Sequence, residues 1–521
     1  MRKLLRLICL AALLGGCASL TGTAPVATAP PTPYSSAWAS PRETPLWHTL
    51  MPEKNPAQNH SGFTFLETGP EAYRARLALI EAATATIDIQ YYIWEFDTSG
   101  RAITEALIRA AGRGVRIRAL IDGLRIDEKA EPLKTIARHP NIHVRIYNAF
   151  RTSFRSDFVR YTELVSDFTR LNQRMHNKVI AVDNTAAIIG GRNVSDDYFG
   201  LSPERYFHDR DVLAAGPATA EISATFDKFW NSIYAAPVGR FAGPADQSIS
   251  AHTPWPDSPP AGPADVSLPR RLEGEALAAE LAALRHALVW APAQIVWSAP
   301  GPVFAEQAPA PEAKIETAFL RHLNDAQAGV TIQTPYLTLT RARDKALHAA
   351  RRRHVAVTIH TNSLASTNWV IVQHGYLQER RKLLHWGVTL FEMKDRPAAC
   401  CPTRALGVMP RKVILHPKTT VFDRRYVLVG SFNLDHRSVL HNSEVGVLID
   451  SPELAARILT VIERDVQPEN SWRLTMDPSN KLVWLDESQT PPRRYLDDPN
   501  TGFFEQFIAW FGYFLPIDSL L

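Results

Sequence analysis

Two stretches of this chain set a histidine beside a lysine in the same register, HNKVIAVDNTAAIIGGRN from His176 to Asn193 and HPKTTVFDRRYVLVGSFN from His416 to Asn433. Each reads H-x-K-x4-D, which places Asp183 after His176 and Asp423 after His416 at the same spacing. The agreement continues past the aspartates, with a Gly 14 residues and an Asn 17 residues after each His. A single H-x-K carries little meaning. Two copies in step over this length, 240 residues apart, point to a duplicated catalytic half. An imidazole beside a fixed ammonium supplies a base or nucleophile together with an anion-binding charge.

Such residues must be held by strands. Alternate side chains of a strand share a face, so His176 and Lys178 point together, as do His416 and Lys418. Turn-type residues at Asp183-Asn184-Thr185 and Asp423-Arg424-Arg425 fall between β-branched runs, which predicts a hairpin in each copy. The Asp of each motif is then an orienting or turn-fixing group rather than an acid or base. Around the motifs, strand and helix alternate. Strands are predicted over 86–94, 115–121 and 143–147 with a helix over 100–111, and the order returns with strands over 329–336, 355–361 and 387–392 and a helix over 341–353. The fold class is α/β, in two pseudo-symmetric halves of mixed β-sheet flanked by helices.

These motifs resemble the phospholipase D superfamily, whose members face two H-K-D motifs across a single active site at the interface of the halves. RLNQRMHNK (Arg170 to Lys178), YFHDRDV (Tyr206 to Val212), GSFNLDHRS (Gly430 to Ser438) and NSEVG (Asn442 to Gly446) resemble the bacterial cardiolipin synthase C-like branch, over about Trp47 to Leu521. The resemblance implies catalytic His176, Lys178, Asp183, His416, Lys418 and Asp423. One His attacks phosphorus and the other serves the leaving and entering alcohols, with His176 assigned as nucleophile and the exchanged assignment open. Asn193, Asn433 and the Ser431 hydroxyl would bind or orient phosphate oxygens; Gly191 stands where the second copy has Ser431. A nucleophilic imidazole also needs an acceptor at its other nitrogen. Glu444, 28 residues after His416, is expected to serve that His, and Asp209 to serve His176, with Asp211 as the alternative. No cofactor and no metal site is implied.

By the same resemblance the partners are phospholipids, phosphatidylglycerol first and phosphatidylethanolamine as a second candidate. Transfer to phosphatidylglycerol would make cardiolipin, and transfer to water would make the enzyme a phospholipase D. Nucleic acid is not expected. The formal charge of +4 falls to about +1 once Arg2, Lys3 and Arg6 are removed with a leader, a weak attraction for a polyanion.

That leader is MRKLLRLICLAALLGGCASL, with a basic start, a short apolar run and Cys17 after small residues. It reads as a bacterial lipoprotein signal, against a membrane span or an ordinary secretory signal. Cys17 would carry the lipid on the periplasmic side of the cell envelope, at the outer membrane. The expected organisation is signal 1–16, disordered tether 17–46, first half 47–235, Pro-rich linker 236–269, second half 270–470 and an aromatic C-terminal extension 471–521. Apolar residues at helical spacing between Phe154 and Leu171 predict a helix just before His176. Arg351-Arg352-Arg353 and Arg380-Arg381-Lys382 are expected on solvated helix faces, and Cys400 and Cys401 carry no catalytic role.

Overall fold

The computed structural model describes residues 34–52, 59–125, 130–150, 162–163, 166–241, 268–301, 314–398 and 408–512. Two sheets repeat one plan. In the first, Thr86–Tyr91, Arg116–Asp122 and Ile142–Tyr147 run parallel. From the other edge of Thr86–Tyr91 the antiparallel strands Val179–Val182, Ala186–Gly190, Asp211–Ala215 and His60–Leu66 continue the sheet. In the second, Gly329–Gln333, Ala356–Asn362 and Thr389–Met393 run parallel, and Thr419–Phe422, Tyr426–Gly430 and Val445–Asp450 follow antiparallel. Strand Val289–Trp297 ties the sheets together. Its first four residues pair with His60–Phe63 and its last five with Val445–Ile449.

The motif strands are apolar on both faces because both faces are covered. Ile180, Val182 and Ile188 join a core under the outer helices Gly69–Ala82 and Thr98–Gly112. The alternate residues Val179, Ala187 and Ile189 meet Val421, Val427, Val429 and Val447 of the second sheet in a core between the halves. Phe422 and Leu428 face the third core, with Phe319 and Leu347 of the second half's outer helices. The period-2 alternation of a strand thus sorts each motif between an outer and an inter-half core. Helix starts are capped locally. Thr68 and Glu71 form a capping box for Gly69–Ala82, and Asp97, Thr340 and Ser451 accept backbone N–H bonds at three others.

Several expected boundaries move. Residues from Tyr34 onward are docked rather than part of a tether, since the backbone N–H groups of Ser35 and Ala37 donate to Asn231 and Asp227, and Leu46 and Leu50 are buried. Ala235–Pro237 pairs with Ile142–Tyr147, so the first half runs past 235. Ser471–Met476, Leu482–Asp486 and Arg493–Tyr495 extend the second sheet beyond Thr389–Met393. Of the 380–382 run, Arg381 is exposed and Lys382 partly so, but Arg380 departs from the expected solvated face. Arg380 is buried in ion pairs with Glu392 (2.8 Å) and Asp498 (2.7 Å). Just before His176, Phe168–Leu171 forms a helical turn with Leu171 buried and Phe168 exposed, and the described residues Thr162, Glu163 and Ser166 are helical as well. Phe154, Phe158, Tyr161, Leu164, Cys17, Cys400 and Cys401 lie outside the described residues.

Candidate active site

Each motif histidine stands at the entrance of its hairpin, and a short parallel strand pair delivers it to the opposite half. Arg174–Met175 pairs with Asn442–Ser443, and Lys412–Leu415 pairs with Arg205–His208. In these registers Met175 lies beside Ser443 and Leu415 beside His208, so the next residues, His176 with Glu444 and His416 with Asp209, become neighbours. The residue before each His is gripped by the C-terminal end of a parallel strand. Asp122 accepts from the Met175 N–H (2.9 Å), and Asn362 accepts from the Leu415 N–H (2.8 Å).

The carboxylates are therefore exchanged relative to the sequence expectation. Nδ1 of His176 lies 3.0 Å from both Glu444 oxygens, and Nδ1 of His416 lies 2.5 Å from Asp209 Oδ2. Chain proximity suggested that each carboxylate serves the His of its own half; the strand registers carry it across instead. Asp211, the alternative, is occupied elsewhere in a buried ion pair with Arg76 (2.8 Å).

Both aspartates of the motifs lie outside the chemistry. Asp183 accepts from the backbone N–H groups of Thr84, Ala85 and Thr86 at 2.8–3.0 Å, and Asp423 from those of Gln327, Ala328 and Gly329. Each fastens its hairpin turn to the chain entering the central parallel strand. Seven residues of extended chain, at about 3.3 Å each, separate each Asp from its His. Their placement as catalytic groups is corrected to a structural one. The turns match the sequence reading, with positive φ at Asp183, Asn184, Asp423 and Arg424.

The lysines converge on the histidines. Nζ of Lys178 donates to the His176 carbonyl and Nζ of Lys418 to the His416 carbonyl, each at 2.5 Å. Burial lowers the Lys178 ammonium well below its usual value and brings Lys418 down to about 8. Burial also pulls His176 down to about 4, against the Glu444 charge, and His416 to about 3, with Lys418 adding to the fall. Asp209 and Glu444 resist their own burial, because Lys418 with His416, and His176 with Lys178, hold them below the ordinary carboxylate range. A charged Asp209 requires a proton on Nδ1 of His416, although Lys418 Nζ also lies 2.8 Å from that nitrogen. Each ring is then anchored through Nδ1 and keeps its Nε2 lone pair. Lys418 depresses His176 and Lys178 depresses His416, so the two motifs share one electrostatic site.

Ser431 is orienting. Its hydroxyl donates to Glu444 Oε2 (2.5 Å) and accepts from the Val445 N–H. Gly191 holds the matching place in the first half because a Cβ there would lie 2.3 Å from Asp209 Oδ1. Asn193 accepts from the Ile93 N–H (3.1 Å) and donates to the Tyr198 hydroxyl (2.9 Å), while Asn433 Oδ1 is buried without a hydrogen-bond partner among the described residues.

Further residues of the site escaped sequence reasoning. Ser438 donates to Glu444 Oε1 (2.8 Å). Tyr92 packs edge-on against His176, and Tyr198 and Phe207 against His416, with ring centroids 5.1–5.5 Å apart. Only the position of Ser438 inside GSFNLDHRS hinted at it. Among the described residues no group of three His, Cys, Asp or Glu side chains is arranged to hold a metal, and no helix is long and apolar enough to cross a membrane.

Comparison with known proteins places this geometry. The family described as "Cardiolipin synthase, PLD-like domain" matches residues 77–230 and 319–466, one segment in each half. Cardiolipin synthase C of Escherichia coli (strain K12) is 32% identical over 477 residues, which cover 91% of this chain and 99% of that one. The major cardiolipin synthase ClsA of Bacillus subtilis (strain 168) is 24% identical over 78% of this chain and 70% of its own. In fold, the chain resembles the crystal structure of phosphatidylserine synthase from Haemophilus influenzae Rd KW20, with a TM-score of 0.54, 14% identity and coverage of 89% and 98%. Since the family match spans both interlocked halves and the relative aligns nearly end to end, this chain belongs to the cardiolipin synthase-like family of phospholipase D superfamily enzymes.

Proposed function

We propose that the protein is a phosphatidyltransferase that moves a phosphatidyl group from a donor phospholipid to phosphatidylglycerol, forming cardiolipin through a phosphohistidine. The observation that carries this is the pair of histidines, each anchored through Nδ1 to a carboxylate from the opposite half and each with a buried lysine beside it. The names of the cardiolipin synthase relatives support the acceptor.

In the first step His176 Nε2 attacks phosphorus, the bond from phosphorus to the headgroup oxygen breaks, and His416 gives that oxygen its proton. In the second, His416 takes the proton from a phosphatidylglycerol hydroxyl, whose oxygen attacks phosphorus and releases His176. Lys178 and Lys418 neutralise the non-bridging oxygens. The negative phosphodiester also offsets the lysine charges that depress both histidines, which lets His416 hold a proton when substrate is bound.

Purified protein in vesicles containing phosphatidylglycerol, with products read by mass spectrometry, tests the reading. Cardiolipin as main product with minor phosphatidic acid supports it. Phosphatidic acid alone would make the enzyme a phospholipase D, and cleavage of nucleic acid with no action on lipid would overturn the lipid assignment. Peptide mapping of the quenched intermediate distinguishes phosphate on His176 from phosphate on His416.

A further inference from the structure

The parallel strands Arg116–Asp122 and Ile142–Tyr147 serve the active site at their C-terminal ends, where Asp122 holds Met175. Nearer their N-terminal ends they carry a separate basic cluster. Arg116 and Arg118 on one strand, and His143 and Arg145 on the next, are each two residues apart and so share a face, with Arg118 in register beside His143. This face lines a cleft of about 510 Å³, completed by Lys134, Trp230, Tyr34 and Ser35. No Asp or Glu lines it among the described residues.

Like charges on neighbouring strands repel, so the cluster needs a compensating feature. Arg118 has one, lying 2.7 Å from both Asp88 and Asp227 behind the cleft. Lys134 reaches Glu131 (2.6 Å) at the surface. Arg145 is buried, donates to the Trp230 carbonyl (2.5 Å) and stacks on that ring at 4.3 Å. Arg116 donates to the Ser36 carbonyl (2.6 Å), and its buried Nε has no hydrogen-bond partner among the described residues. Burial, with Arg118 and Arg240, pushes Arg145 down to about 10, and the same pressures lower Arg116 and His143. An anion entering the cleft would relieve this repulsion. The volume is in the range of small-ligand sites, roughly 300–1,000 Å³.

We propose that this cleft binds a phosphate-bearing anion, either a soluble phosphate ester or an anionic phospholipid headgroup, at a second site separate from the paired histidines. Guanidinium forks match phosphate oxygens in pairs, and Trp230 and Tyr34 offer apolar wall to the remainder of a glycerol-phosphate unit.

The test uses full-length protein carrying His176→Ala, which removes turnover and one arm of the catalytic site. Equilibrium dialysis with labelled inorganic phosphate and glycerol 3-phosphate is run beside flotation with phosphatidylcholine vesicles, with or without phosphatidylglycerol. We expect saturable binding to at least one anionic probe, weakened at least tenfold when Arg116→Gln and Arg145→Gln are added. In the wild-type background that double variant should retain basal lipid turnover. If it fails to fold by circular dichroism, Lys134→Gln with His143→Gln at the mouth should weaken binding at least threefold. Binding of the soluble probes alone identifies a phosphate ester as ligand, and binding of phosphatidylglycerol vesicles alone identifies a headgroup. The proposal is overturned if no probe binds saturably, if neither pair of substitutions weakens binding, or if binding exists in wild type and vanishes with His176→Ala. None of these results depends on cardiolipin being the product.

Discussion

At the scale of single residues, the crossed pairing of histidine and carboxylate governs both activity and stability. His176→Ala and His416→Ala should each abolish turnover in folded protein, because each removes one arm of the proposed double displacement. The pairing itself is checked by double-mutant cycles on denaturant unfolding. His176→Ala with Glu444→Gln, and His416→Ala with Asp209→Asn, should couple by about 1–3 kcal/mol, whereas exchanging the carboxylates between the cycles should give near-additive effects. The pH response follows from the same burial. His176 has a folded value of about 4, below its unfolded value, so the unfolded chain binds protons first as pH falls below about 6.5. Stability is therefore full above that pH and declines toward pH 4, by an amount on the order of 3 kcal/mol for His176 alone. Melting temperature across pH 5–7 should fall with acid, and His176→Gln should flatten the slope.

Among elements, the hairpins and the two short strand pairs divide the labour. The hairpin turn is fastened by Asp183, so Asp183→Ala should strip three backbone donors of their acceptor, that of Thr86 buried and those of Thr84 and Ala85 partly so, and cost about 1–3 kcal/mol, lowering Tm. The fraction that remains folded should keep most of its kcat, an outcome opposite to that of the histidine variants. The strand pairs set the chemistry. Gly191→Ser should cut turnover sharply, since even its Cβ would press on Asp209 and turn the carboxylate away from His416. The second half accepts Ser431 at the matching position because its hydroxyl is a donor to Glu444.

For the whole molecule, the exchanged carboxylates make the halves interdependent. A fragment ending at residue 241 and one beginning at 268 should each be inactive alone, as neither holds a His with its own carboxylate. Activity should return only on mixing, and sedimentation would show the complex. In the C-terminal extension, helix Phe503–Gly512 buries Ala509 and exposes Phe503, Phe504 and Phe507. If it shields the acceptor from water, deletion of 503–521 shifts products from cardiolipin toward phosphatidic acid. Anchoring is tested separately. If Cys17 carries the lipid anchor expected from the leader sequence, Cys17→Ser releases the protein from membranes, and fatty-acid labelling of the wild type reads this directly.

What the sequence determined by itself was local or periodic: the duplicated H-x-K pairs, the turns at Asp183 and Asp423, and the alternation of strand and helix that makes an α/β fold. These were legible because a two-residue spacing, a turn dipeptide and an apolar period are properties of adjacent residues. The same locality misled where partners were distant. Glu444 lies 28 residues from His416 and 268 from His176, yet the parallel register of Arg174–Met175 with Asn442–Ser443 brings it to the farther one. Arg380 reads as surface charge until Glu392 and Asp498 close over it. Ser438 is marked only by its place at the end of GSFNLDHRS, and Tyr92 has no local mark of its place beside the site. Only the tertiary structure decided these, because a contact between distant segments depends on how two sheets register and pack rather than on the residues flanking either group.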